Sequence, residues 1–530
     1  MSAPDHAAMT PRAQAGLSYA SGPGRWVLLV TVLGSAIASI DATVVGIALP
    51  AIGRDFGVSL TTLQWVVTAY TLALAGLLLF AGTLGDRYGR KRIFLAGVVW
   101  FAVSSLLCGL APSAVILIAA RAVQGIGAAL LTPGSLAIIE ASFQPGDRDK
   151  AIGAWSGLSG VATAIGPFLG GWLVQAVSWR LIFAINLPVA AMIIAVGVRH
   201  LPESRDPEMA QSKVDMTGGD TRHPGSDRSD LRADRRAVSG WIRPAPLASE
   251  VAGVLLLVAF AAWERRTPKP MLPLNLFTFA QFTAANVVTF IVYGALGGAL
   301  FLLPIELQQV SGYTALQAGI SLLPVTAIML ALSARSGALA ARIGPRLQMS
   351  IGPVVIAIGL ALFTRIGYSG NYFTEVLPAV VIFGLGLAIN VAPLTSTVLA
   401  AVPASHAGTA SAVNNDVART AGLIAVAVLP AAAGLTGTAY LQAARFSAGF
   451  DTASLISAAV CLAGGVLAAV IIRNPRPEGG PAPMRLLHCA LDAPASHAAR
   501  LQPASLSPSG QVGRGSRSPH AYAERPRGRG

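Results

Sequence analysis

Gly82-Thr83-Leu84-Gly85-Asp86-Arg87-Tyr88-Gly89-Arg90-Lys91-Arg92 is a short, strongly basic turn between two long apolar runs. Leu63 to Leu84 before it and Ile93 to Ala120 after it hold no charge. An apolar run of about 20 residues is long enough to cross a bilayer as a helix. Short Lys/Arg-rich loops resist translocation, so this turn is expected to face the cytoplasm. The rest of the chain agrees. Of its 530 residues 54% are hydrophobic and 12% charged, whereas soluble domains carry about 25% charge. The expectation is an all-α polytopic membrane protein, because helices satisfy every backbone polar group within one segment.

A net charge of +14 often points to nucleic acid. Here the basic residues sit in short loops and a tail, where membrane topology alone puts them, and no aromatic residues are interleaved with them. No nucleic-acid partner is expected. Cys108 and Cys461 lie in apolar runs and Cys489 in the tail, so no disulfide framework or metal cluster is legible. No phosphate-binding loop, nucleophile elbow or cofactor loop appears, which argues against an ATP-driven pump or an enzyme and implies no cofactor.

Apolar runs fall at about 27–49, 62–84, 93–111, 114–140, 151–176, 180–199, 247–263, 281–305, 314–335, 348–366, 373–401, 407–432 and 451–472. The pattern is six spans, a polar break, then seven. The expected divisions are a disordered N-terminus (1–24), a six-helix half (25–200), a polar insert with an atypical linker span (201–280), a second six-helix half (281–472) and a disordered basic tail (473–530). Positive-inside reasoning creates a contradiction. If 201–246 stays inside and 247–263 crosses, the basic loops Arg265-Arg266 and Arg342 to Arg346 land outside. Either 247–263 does not fully cross, or something in 201–246 replaces a span.

The halves echo each other. Gly82-x-Leu84-x-x-Arg87-x-Gly89 recurs as Gly337-x-Leu339-x-x-Arg342-x-Gly344, and Gly125-x-Gly127 before Pro133 is echoed by Gly384-x-Gly386 before Pro393. Repeated halves with a site between them mark many transporters.

The Gly82–Arg92 turn resembles the loop between spans two and three of the major facilitator superfamily. Arg121-Ala122-Val123-Gln124-Gly125 resembles its fourth-span motif. Gly153 with Gly166-Pro167-Phe168-Leu169-Gly170-Gly171 resembles the fifth-span motif of antiporters, with Ala162 in place of one usual glycine. Asp41-Ala42-Thr43-Val44-Val45-Gly46-Ile47-Ala48-Leu49-Pro50 resembles the first span of the fourteen-span drug:proton antiporter branch, with Gly46 replacing a common Asn. Trp179-Arg180, Phe183, Asn186 and Pro188 continue the match. It fails at 201–246, where that branch has a further span, and after Arg473.

This resemblance implies the major facilitator fold: two six-helix pseudo-repeat halves plus one or two linker helices. The implied activity is proton-driven export of lipophilic or cationic small molecules across the cytoplasmic membrane, by a monomer with both termini inside. Alternatives are export of an endogenous metabolite or antibiotic, or a transport-defective member lacking the span expected at 201–246.

The site residues follow from placement. Asp41 is the one acid inside the first span. A carboxylate without a partner in a low-dielectric interior prefers its protonated form, which makes it a candidate proton carrier. The alternative is a structural acid paired permanently with a base. At 1.5 Å per residue, Asp41 lies about 12 Å and Arg121 about 10 Å from the outer ends of their spans. The two can therefore pair if those spans are neighbours, with Gln124 bridging. Arg121 could instead only tie backbone carbonyls together.

Asp416 and Arg419, three residues apart, can pair on one helical face, and Asp416 is a second proton-coupling candidate. Trp65 and Tyr70 resemble family positions near a cavity mouth, though Trp65 could equally be an interfacial anchor; Gln124, Asn390, Asn414, Asn415 and Arg419 are further candidate cavity residues. Glu306, near an outer helix end, reads as interfacial. For Gly166, Pro167, Gly170 and Gly171 the resemblance to antiporters implies a tight seam that seals the cytoplasmic-open pathway; the alternative is ordinary close packing. Gly82, Asp86, Arg87, Gly89 and Arg90 would form a charged latch, with Asp86 docking a neighbouring helix end and the arginines pairing with acids on adjacent loops. Gly89 suits a positive φ.

Overall fold

A computed structural model describes residues 16–204, 274–403 and 407–474. Among them, twelve helices are long and apolar enough to cross a membrane. The first six are α1 (Gly22–Phe56), α2 (Leu60–Tyr88), α3 (Arg90–Gly109), α4 (Ala114–Ser142), α5 (Pro145–Ala176) and α6 (Leu181–His200). The second six are α7 (Ala280–Gln309), α8 (Ala315–Ile343), α9 (Pro345–Leu362), α10 (Leu377–Ala400), α11 (Ala407–Ala432) and α12 (Ala443–Ile471). The expected span 247–263, the insert from 205 onward and the tail after 474 lie outside the described residues.

Local chemistry sets the helix ends. Ser21, Ser59 and Ser113 cap α1, α2 and α4 by accepting from backbone N–H groups that have no helical partner. Thr314 and Gln317 form a reciprocal capping box at α8. Gly57 ends α1 at φ 62°, a left-handed conformation that glycine adopts without steric cost. α1 continues past the expected end at Leu49 because Asp55 accepts from Arg180 (2.7 Å) and Trp179 (3.0 Å), which extends the packed helix to the interface. Residues 16–24, expected within a disordered N-terminus, are instead tied down. Leu17 N donates to Ser142 O (2.7 Å), and Tyr19 N donates to Asp147 Oδ2 (3.0 Å).

Both charged turns lie on one face of the bundle. Gln308 Nε2, in the last turn of α7, donates to Ile47 O (3.0 Å). Leu60 N donates to Gly437 O (2.9 Å), and the Tyr440 hydroxyl donates to Val58 O (2.6 Å). These bonds place the ends of α1 and α7 together at what we call the far face. α2 and α8 therefore run away from it, and Gly89 and Gly344, which follow them, share the opposite turn face. α6 ends there, with Ser204 O accepting from Arg90 N (3.0 Å). α7 starts there, with Gln281 bonded to Arg473. The chain thus leaves the first half and enters the second on the same face, the arrangement that positive-inside reasoning requires of the two basic turns.

The halves meet mainly toward the far face. One buried cluster runs from Val44, Leu49 and Leu63 through Trp179 into the second half, while a second, from Val27 through Phe94 to Ile193, belongs to the first half alone. Contact between α5 and α8 is concentrated in Ala315–Ser321 and falls away along Leu323–Ile343. An added Cβ on Gly171 would approach Ala315 O to 2.5 Å, and one on Gly319 would strike Pro167 O. On the turn-face half of α5, Gly153, Gly157 and Gly160 have open space beside them. The bundle is closed at the far face and parted at the turn face.

Candidate functional site

The polar centre of the first half forms around Asp41. Helical rise puts Asp41 and Arg121 at matching depth, and packing of α1 on α4 brings them together. Arg121 Nη1 donates to Asp41 Oδ2 at 2.5 Å and to Gln124 Oε1 at 2.7 Å. Gln124 Nε2 donates to Asp41 Oδ1 at 2.9 Å. Arg121 Nε donates to Val66 O at 3.2 Å, and the guanidinium lies 4.2 Å from the Tyr70 ring centroid. Asp41 and Arg121 are each 1% exposed. Burying an ion costs several kcal/mol and is repaid only with good geometry and satisfied hydrogen bonds. Here the carboxylate meets three donors, and the guanidinium has a carboxylate, an amide oxygen, a carbonyl and an aromatic face.

The third donor is Asn186, which sequence reasoning tied to the family pattern but not to the site. Its Nδ2 donates to Asp41 Oδ1 (3.2 Å) and to Ser105 Oγ (2.9 Å). Ser105 Oγ donates onward to Phe183 O (2.9 Å). Asn186 follows a break at Ile185 between the two helical pieces of α6 and starts the second, with Pro188 in its first turn. Cys108 Sγ donates to Gln124 Oε1 (3.4 Å). This group gives both oxygens of the Asp41 carboxylate hydrogen-bond donors.

The other named residues are placed less uniformly. Tyr70, expected near a cavity mouth, is buried beneath Arg121 because cation–π stacking holds it there. Trp65 is half exposed. Asn414 Nδ2 donates to Asn286 Oδ1 (3.1 Å) and Thr289 Oγ1 (2.8 Å), bridging α11 to α7. Asn415 is exposed and bonds only to Ser411 O in its own helix. Asn390, expected along the cavity, is fully buried against Gly352 with neither amide atom hydrogen-bonded.

Asp416 and Arg419, expected to pair, form no ion pair, and Asp416 Oδ1 is buried without a partner. Arg419 still acts electrostatically on Asp416 and, across the interface, on Tyr70. Glu306, expected at the interface, is fully buried.

The charged turn is wired differently from expectation. Arg90 pairs with Asp86 inside the turn (2.8 Å), four residues away, and also donates to Ala137 O at the end of α4 (3.1 Å). Arg87 lies over the Tyr88 ring, with Nη1 buried and unpartnered. The acid on an adjacent segment is Glu203, after α6: it accepts from Lys91 N (3.2 Å) and lies 3.7 Å from Arg92. Gly89 has φ 111°, and an added Cβ would meet Glu203 Oε1 at 2.6 Å.

The second half repeats this arrangement. Gly344 has φ 85°, and Asn474, after α12, accepts from Arg346 N (3.1 Å). A Cβ added to Gly82 would only touch Pro133 of α4, at 4.0 Å. Gly166 and Gly170 lie against Thr43 and Val44 of α1, where any side chain would collide.

Residues 31–427 match the family model of the Major Facilitator Superfamily. The puromycin resistance protein pur8 of Streptomyces alboniger is 37% identical over 427 residues, 79% of this chain and 84% of that protein. A probable actinorhodin transporter of Streptomyces coelicolor is 34% identical over 418 residues, 76% of this chain and 72% of that protein. Among solved structures, an inward-facing, unoccupied bacterial homologue of the human lysosomal transporter Spinster superposes with TM-score 0.62 at 17% identity, covering 86% of this chain and 99% of that one. A D-xylose–proton symporter gives TM-score 0.60 at 14% identity, over 85% of this chain and 98% of that one.

Proposed function

This chain belongs to the Major Facilitator Superfamily, as a multi-pass membrane transporter related to antibiotic and multidrug resistance exporters, and from that footing we propose that it is a proton-coupled antiporter expelling lipophilic small molecules. The observation that carries this reading is the buried Asp41 carboxylate, held by Arg121, Gln124 and Asn186 beside the seam between the halves. Protonation of Asp41 releases Arg121, and return of the guanidinium expels the proton. A switch of this kind couples a titratable group to a two-state packing change. Asp416, near the same seam with a free carboxylate oxygen, is a second group for the proton. Trp65, Asn414, Asn415 and Arg419 belong to the substrate path on this reading.

The turn face is assigned to the cytoplasm, because both basic turns lie there. The chain then acts as a monomer in the cytoplasmic membrane, open inward, with α5 and α8 forming the outer seal. Related proteins named for antibiotic export support a second substrate reading, a metabolite made by the host cell. The transport-defective alternative rested on residues 201–246, and those from 205 onward lie outside the described residues.

The test is gradient-driven efflux of a lipophilic dye from everted vesicles. Asp41→Asn is expected to reduce it to the level of vesicles lacking the protein. Unchanged pumping by that variant would sink the proton-coupling role.

A further inference from the structure

A groove of about 350 Å³ lies between α1 and α5 at the turn-face end of the first half, and nothing in the Asp41 mechanism uses it. Sites for small organic molecules run from about 300 to 1,000 Å³. One wall is a single stripe of α1: Arg25, Leu28, Leu29 and Val32, spaced i, i+3, i+4 and i+7. Leu158 of α5 forms the other wall, and Tyr19 of the tied-down segment before α1 completes it.

The groove is amphipathic along its length. Arg25 stands at the start of α1, exposed, and pairs with no described acid. Asp147, the acid tied to Tyr19, is already engaged by Tyr19 N, Gln144 and Lys150. Val32 lies seven residues further on, about 10 Å deeper at the helical rise, and the α1 side chains that line the groove between them are apolar. Trp26, beside Arg25, is exposed, and its ring lies 5.0 Å from that of His200. Tryptophan favours the headgroup level of a bilayer. Arg25 therefore stands at that level, and Leu29 and Val32 reach into the acyl layer.

The groove opens to lipid, away from the gap between the halves. Leu158, Ile165 and Trp172, at intervals of seven, form one exposed apolar stripe of α5. Gly160 and Pro167 share another face, and Pro167 O is the atom that Gly319 of α8 meets. Two residues separate Leu158 from Gly160, which is about 200° of helix.

A basic pocket between helices at this level attracts anionic headgroups, and a guanidinium can hold a phosphate through two parallel N–H groups. We propose that the groove binds one anionic phospholipid, with its phosphate on Arg25 and an acyl chain along Leu28, Leu29, Val32 and Leu158. The lipid then bridges the helix that carries Asp41 to the helix that seals against α8. The leaflet that supplies it follows the assignment of the turn face to the cytoplasm. Binding itself depends neither on that assignment nor on proton coupling, so its failure is distinguishable from theirs.

The test uses the full-length protein in detergent mixed with phosphatidylglycerol or with phosphatidylcholine of the same acyl chains. Native mass spectrometry counts the lipid retained. The protein is expected to keep a single phosphatidylglycerol and several-fold less phosphatidylcholine; equal retention overturns the proposal. Arg25→Gln should remove the preference. Arg342→Gln, at an exposed arginine of the same face in the second half, should preserve it, and equal loss in both variants refutes a site in favour of diffuse surface charge. Leu29→Trp fills the groove with Arg25 in place and should reduce phosphatidylglycerol to the phosphatidylcholine level, and Leu158→Trp repeats this from α5. Native retention by both refutes the acyl-chain wall. Glycerol phosphate, the same anion without acyl chains, should fail to displace the lipid at equal concentration; displacement means a free-anion site and also overturns the proposal. All the substituted side chains are exposed, so the fold is expected to stand in each variant.

Discussion

Arg121 does four things at once, and a lysine can do only some of them. It bonds Asp41, Gln124 and Val66 O, and it stacks on Tyr70. Lys keeps the charge but lacks the planar fork. Arg121→Lys is therefore expected to insert and fold yet lose most dye efflux, measured in the same vesicle assay; native pumping would reduce Arg121 to a simple counter-charge. Arg121→Ala should do worse, because removing one partner of a buried ion pair costs about 3–5 kcal/mol and is expected to lower the melting temperature as well. The Asp41–Arg121 juxtaposition was legible in the sequence because depth along a helix follows from residue number and the family resemblance makes spans one and four neighbours. Asn186 was not, because its reach to Asp41 depends on the break at Ile185. Glu306 was misread for a related reason. Its place near a helix end suggested an interfacial side chain, and only the packing of α12 against α7 buries it.

Helix pairs carry the next level of constraint. α5 meets α8 through Gly171 and Gly319, where the backbones approach too closely for a side chain. Gly319→Leu is expected to wedge the far face apart, measured as faster labelling of a cysteine placed at Leu316 and as reduced efflux. Labelling equal to that of the native helix pair would count against a seal. At the charged turns the constraint is backbone conformation. Gly89→Ala puts a side chain at φ 111° and against Glu203, a strain of about 1–3 kcal/mol, to be read as a lower melting temperature in detergent. The repeated glycine pattern marked both turns in advance. It did not disclose what sits on them, since Glu203 and Asn474 come from distant stretches of chain with no motif of their own.

For the whole molecule, charge bias in the sequence set a puzzle that the fold resolves. The basic turns were expected on one side, yet one crossing at 247–263 would have separated them. Bonds at residues 47, 58 and 60 to residues 308, 440 and 437 tie the far ends together and so return both turns to one face. Single cysteines at Arg92 and Arg346 are therefore expected to share the same accessibility: blocked to an impermeant maleimide in intact cells and open in everted vesicles. Opposite behaviour at the two positions would break the topology. Cys108 and Cys461 are buried, and Cys489 of the tail is replaced by serine for this assay. The six-plus-six architecture was legible because hydropathy reports span length. The state of the bundle was not, because closure at one face is a property of contacts between halves that no single segment encodes.

Glu203 and Asn474 each tie the end of a half back onto that half's own turn. Each half is thereby knotted off before the chain moves on. A cut after Ser204 leaves both of these ties intact. That joint is a natural splice point. The two halves, expressed as separate polypeptides divided there, should find each other in the membrane and pump.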